Sequence, residues 1–204
     1  MLEMGSHSVI PSIIPKAMTI AICVNDTARP HLLFMIAYDI PFRKYWEATM
    51  TRGEKAKENF LKGYNCTQSV LLAFDDVIAA DKLQFLMTTT SCFGGGMGRL
   101  REVCGTVSGM FLVCSYFFGY SGPQENAKKP VLYSHIQELA HRFEAQEGSI
   151  VCRELLHLDH KHDTPIPDAR DHSYYSKRPC PELCKLAAET VEGFLVEQGV
   201  LTQE

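Results

Sequence analysis

Four of the chain's eight cysteines stand where helices should begin. Cys66 follows Asn65, a preferred N-cap residue, and Cys152 stands three residues after Ser149, another one. Cys180 immediately precedes Pro181, at a position where proline opens a helix. Cys104 closes the stretch "CFGGGMGRLREVC" and leads into a long apolar segment, so it falls in the first turn of the next helix. Backbone N–H groups at a helix start lack intrahelical partners and carry the positive end of the dipole, so they stabilise a thiolate. The thiolate is the form that ligates a metal or attacks a disulfide. If the four helix starts converge, the product is an anion-favouring cluster of thiols.

The spacing limits what such a cluster can be. No C-x-x-C occurs, which excludes a thioredoxin-type dithiol and the usual zinc-finger pattern. Cysteines as far apart as 66, 104, 152 and 180 require a site assembled by the fold. That site could bind an iron–sulfur cluster or zinc, both of which accept four thiolates. It could equally cycle between thiols and disulfides. Cys184 lies one helical turn beyond Cys180 and is placed to act as a resolving or substitute sulfur. Cys114, inside an apolar helix, reads as core; Cys92 either joins the site or merely precedes the glycine loop; Cys23 receives no role.

Gly105 and Gly109, spaced one turn apart after Cys104, are the positions at which a cofactor or a neighbouring helix could approach the backbone. "HLDHKHD", with His157, His160 and His162, reads as a solvated polar loop. The run Gly94–Gly96 is not a phosphate-binding loop, because the lysine and serine or threonine of that motif are missing.

The elements that must position these cysteines read as helices. "RGEKAKENFLKG" is amphipathic and closed by Gly63; "CTQSVLLAFDDVIAA" repeats Val70, Leu71, Phe74, Val77 and Ile78 at helical spacing. A short piece from Asp81 to Met87 precedes the glycine loop. Further helices are expected from Glu102 to about Phe118, over residues 125–148, over "IVCRELLHL" with Ser149 as cap, and from Pro181 to Gln198. An irregular loop is expected over residues 159–177. The expectation is an all-α bundle of about five to six helices, with a Gly-rich loop before a central buried helix.

Composition agrees with a globular domain: hydrophobic residues make up 46% and charged residues 22%, which excludes wholesale disorder. A net charge of −4 excludes an electrostatic case for nucleic acid. Residues 103–124 carry no charge, but their hydroxyls, thiols and tyrosines favour a buried helix over a membrane span. Residues 1–49 hold four prolines and no sustained periodicity, and are expected to be a poorly structured extension, with Met50 as an alternative start. Their first apolar run contains Pro11 and Pro15 and lacks a basic lead, unlike a secretory signal. The expected compartment is therefore the cytoplasm, where thiols stay reduced unless they bind metal or cycle. A redox partner is implied, and a homodimer is compatible.

Four blocks, "GYNCTQSVLLAF", "FGGGMGRLREVCGTVSG", "GSIVCRELL" and "CPELCKLAAETV", resemble the C-GCAxxG-C-C family of redox-active proteins. The resemblance spans roughly residues 51–197. It implies a small, mostly helical protein whose four characteristic cysteines, here Cys66, Cys104, Cys152 and Cys180, are redox-active or hold a metal centre. The family's Cys-Gly-Ala-x-x-Gly core appears here as residues 104–109, with Thr106 in place of alanine. A structural or zinc-binding helical module without turnover is the rival reading.

Overall fold

A computed structural model of the protein describes residues 50–202. The expectations for residues 1–49, Cys23 included, lie outside the described residues. Among the described residues the fold is all-α, with nine α-helices and one isolated antiparallel bridge, Val103–Val151. In chain order they are α1 (Arg52–Leu61), α2 (Cys66–Leu72), α3 (Ala80–Thr89), α4 (Gly94–Met97), α5 (Gly105–Phe118), α6 (Lys128–Glu147), α7 (Cys152–Leu155), α8 (His172–Ser176) and α9 (Cys180–Glu197). Six of them run seven residues or more; α4, α7 and α8 are single turns.

The uncharged segment becomes α5, which packs on α2, α6 and α9 and buries Gly105 to Met110 without interruption. At 14 residues it spans about 21 Å, shorter than a hydrocarbon core of about 30 Å. Among the described residues no helix is long and apolar enough to cross a membrane. Helices α1 and α9 lie against each other, each contributing an apolar stripe: Ala56 and Phe60 from one, Ala187, Ala188, Val191 and Leu195 from the other. Lys185–Glu54 and Lys57–Glu182 fringe that contact, but partly exposed pairs of this kind add little. Phe60, Phe74, Phe143 and Phe194 are buried in one continuous core, each worth about 1.5–3 kcal/mol relative to exposure.

Four of the expectations differ from the structure, two through contacts with distant segments and two through local hydrogen bonds. The helix expected from Cys66 to Ala80 stops at Leu72 and continues in tight turns, with Phe74 N–H bonded to the Leu71 carbonyl. Those turns keep Phe74 and Ile78 in the core while bringing Asp75 to Lys55 and Asp76 to Arg52 on α1. The helix expected from Glu102 starts at Gly105, because residues 101–104 pair with residues 150–153 instead. Ser149 is not the cap of α7: Val151 is, while the Ser149 hydroxyl accepts from Val151 N–H and bonds to Glu154. The loop expected over residues 159–177 contains α8, capped by the Asp171 side chain.

Candidate functional site

Cys66, Cys152 and Cys180 are each the first residue of a helix, and Cys104 is the residue capping α5. Different local devices fix each position. Asn65 forms a full capping box with Gln68, so the chain enters α2 at Cys66. Its Nδ2 also donates to the Ser91 carbonyl at 3.0 Å, tying that entry to the glycine segment. Cys104 N–H donates to the Ile150 carbonyl at 2.8 Å and Cys152 N–H to the Glu102 carbonyl at 2.7 Å. This exchange sets Cys104 beside Cys152. Pro179 and Pro181 bracket Cys180 at the start of α9.

The glycine segment makes these approaches possible. Gly96 has φ of 68°, and a Cβ there would stand 2.6 Å from the Cys152 Cβ. At Gly105 a Cβ would stand 2.9 Å from the Phe93 carbonyl oxygen and 3.0 Å from the Cys66 Cβ, so its absence lets α5 meet α2 beside the sulfurs. Gly109 repeats the approach one turn on, against Val70 and Thr67. Both helix glycines, read from sequence as cofactor-binding, lie in the α2–α5 contact and are not among the cavity's lining residues.

The four thiols share the wall of one cavity of about 290 Å³. All four are buried, and among the described residues no disulfide links any cysteine. Cys184, fully buried one turn behind Cys180, turns its sulfur toward the Cys66 carbonyl at 3.9 Å. Cys114 is core and Cys92 is exposed, bonded only to its own turn; neither lines the cavity.

Electrostatics separate the thiols, and here the expectation from helix starts needs correcting. Only Cys66 is held well below the usual thiol range, by hydrogen bonds from Cys180 and then Cys184, with further help from the Gly95 backbone and Arg170. Burial, followed by repulsion from a Cys66 thiolate, pushes Cys104 up to about 12. Burial raises Cys152 against the pull of Arg101, whose Nη1 stands 3.7 Å from its sulfur. Cys180 is raised because it donates to Cys66 and is itself buried; Cys184 is raised by burial first and by its bond to Cys66 second. One negative charge among close sulfurs disfavours a second. Thr106, the departure from the Cys-Gly-Ala core, places its hydroxyl 3.1 Å from the Cys104 sulfur.

Sequence reasoning missed the arginines. Arg99, Arg101, Arg170 and Arg178 line the same cavity, with Asp168. Arg101, 3% exposed, binds Asp163 through two nitrogens, the Nε contact being 2.6 Å. Arg99 and Arg101 hold left-handed backbone angles, φ 70° and 62°, a conformation that side-chain-bearing residues adopt at a cost. His160 bridges Asp159 and Asp163 and is raised by those two carboxylates, so part of the histidine loop supports Arg101 from behind. The motif "GRLREVC" carried a signal, two cations directly before Cys104; nothing in the sequence pointed to Arg170 or Arg178.

The donor set suits a tetrathiolate centre in kind, with four sulfurs on one cavity and cations to offset their charge. As the side chains stand, no group of three or more among the described residues has ligand geometry.

An all-α domain that gathers four cysteines from four helix starts around one cavity defines a class of cysteine-site protein. The family described as "Putative redox-active protein (C_GCAxxG_C_C)" matches residues 64–194, a span containing all four cysteines, and the chain belongs to it. No curated protein and no solved structure matches the chain.

Proposed function

We propose that this protein passes electrons through its cavity thiols, with Cys66 as the attacking thiolate and Cys180 as the thiol that closes a disulfide on it. The observation that carries this reading is the gathering of four buried thiols on one cavity, none of them in a disulfide, and within it Cys66 is depressed by Cys180 and Cys184 while those two are raised. A dithiol works in this way when one sulfur is ionised and its partner is held protonated until needed. Closing the disulfide on the Cys66 thiolate removes two electrons and the one proton of Cys180 from the pair and delivers them to an acceptor. Cys184, deeper in α9, is the reserve partner.

A second reading is favoured by the count of sulfurs, since a dithiol needs two and the cavity presents four. Cys66, Cys104, Cys152 and Cys180 would then hold an iron–sulfur cluster, which supplies one-electron transfer when bound. Zinc on the same four would stabilise the fold without turnover. Either reading expects a redox partner or a reducing compartment, the cytoplasm in the first instance.

Anaerobic purification, metal and sulfide analysis, a visible spectrum and a thiol count before and after mild oxidation separate these outcomes. Metal-free protein losing two thiols reversibly, with the loss abolished by Cys66→Ser, supports the dithiol. Iron with labile sulfide supports the cluster, and stoichiometric zinc the structural role. Metal-free protein whose thiols never cycle defeats all three.

A further inference from the structure

We infer that the cavity is a binding site for a small organic anion, and that the anion is a low-molecular-weight disulfide carrying carboxylates. The binding half of the inference stands on the arginines alone; the disulfide half rests on the dithiol reading above.

Four guanidiniums line the cavity, and two carboxylates answer them. Asp168 serves Arg99 at 3.3 Å and Arg178 at 2.9 Å, while Asp163 serves Arg101 and Arg99. Arg170 has no carboxylate partner among the described residues. Its Nη1 donates to the carbonyls of Phe60 at 3.1 Å and Tyr64 at 2.9 Å, which fixes the group without neutralising it. The guanidinium lies 4.6 Å from the Phe60 ring centroid and 5.9 Å from that of Tyr174, and Arg178 lies 4.7 Å from the same Tyr174 ring. One aromatic ring therefore holds two cations at one cavity; Asp168 answers Arg178, which leaves the Arg170 guanidinium to meet an entering anion. Cation–π contacts and backbone carbonyls orient a planar fork suited to carboxylate.

Size argues for a small ligand. A cavity of about 290 Å³ sits at the lower edge of small-molecule sites, too small for a folded protein's disulfide loop. The thiols lining the same cavity select the reacting group. Thiolate attack on a disulfide needs no other co-reactant, and its atoms balance. The Cys66 sulfur bonds to one substrate sulfur, the substrate S–S bond breaks, and one thiolate leaves. The Cys180 sulfur then displaces the second from Cys66, and its proton goes to that leaving sulfur. The protein retains a Cys66–Cys180 disulfide, and the substrate departs reduced by two electrons.

Dithiodipropionate, a dianion, and its neutral diamide are matched probes, followed by the rate of thiol loss in the full chain. The dianion should react about tenfold faster or more, the worth of one charge-assisted hydrogen bond. Arg170→Gln should slow both probes, because Arg170 also lowers Cys66, but it should slow the dianion more and so erase most of the ratio; Arg178→Gln should likewise erase most of the ratio, and thermal melts check that both variants fold. Equal rates for the two probes, or equal slowing of both by the arginine variants, would overturn the inference. Calorimetry of dithiodipropionate on Cys66→Ser separates the two halves. Binding that disappears with Arg170→Gln upholds the anion site even where no thiol reacts. Absence of binding there, together with no preference for the dianion, overturns it.

Discussion

Gly105→Ala should destabilise the protein, although on an isolated helix the same change stabilises. In a helix interior alanine outranks glycine by about 1 kcal/mol, and the gain is smaller at the first residue, where Gly105 stands. Against it is the space the Cβ would need. It would meet the Phe93 carbonyl oxygen at 2.9 Å, the Cys66 Cβ at 3.0 Å and the Thr67 hydroxyl at 3.1 Å. The first belongs to the backbone, the second lines the cavity, and the third donates to the Gly105 carbonyl at 2.8 Å. Overpacking at such a contact costs about 1–3 kcal/mol. Displacing the Thr67 bond adds about 1 kcal/mol. The net loss is then about 1–3 kcal/mol, and at about 2–4 °C per kcal/mol for a domain of this size Tm should fall by about 5 °C. Gly193, inside α9, is the control: a Cβ there meets nothing within 4 Å, so Gly193→Ala should raise stability by about 0.5–1 kcal/mol. Paired thermal and urea unfolding curves measure both. A Gly105→Ala protein as stable as its parent, or two variants moving in the same direction, would refute the close-approach argument.

Three further outcomes are expected. Arg101→Gln strands Cys152 and part of Asp163 beside a buried void and should cost about 3 kcal/mol in urea unfolding, the lower end for a broken buried pair because Arg99 and His160 remain on Asp163. Asn65→Ala removes the capping box and the bond to Ser91, and should cost about 1 kcal/mol by the same measurement. Cys114, pushed up to about 11 by burial, contributes stability that is intact below pH 9 and lost as pH rises from 9 toward 11. Cys114→Ala should therefore flatten the alkaline fall in stability, by up to about 1.4 kcal/mol per pH unit, in melts recorded across that range.

What could be read from residues alone was what depends on short-range rules. Asn65, Gly148 and Pro181 announce their helix boundaries through cap chemistry, and the structure honours each within a residue or so. The uncharged run 103–124 announces a buried helix because its apolar residues face every direction. At two of the boundaries where the reading failed, distant contacts decide. Residues 101–104 refuse the helix because residues 150–153 offer hydrogen bonds from the other half of the chain. Beyond Leu72 the chain tightens into turns that keep Phe74 and Ile78 in the core, with Asp75 and Asp76 meeting cations of α1 at its edge.

The cysteine cluster shows the same division at the level of charge. A helix start favours a thiolate whichever cysteine occupies it, so sequence treats Cys66, Cys104, Cys152 and Cys180 alike. Placed around one cavity they cease to be alike, because the first sulfur to ionise raises the others. Cys66 takes that place for reasons that lie outside its own helix: thiols donated from α9, and Arg170 from the segment before α8. That segment was read as an irregular polar loop. Yet it delivers Arg170 to the carbonyls that end α1, with Phe60 beneath it and Tyr174 beside it. Cys66 is thus selected chiefly by two thiols of α9, and the charge that adds to their effect is carried by a residue with no motif of its own, held in place by a backbone it meets only in the folded chain.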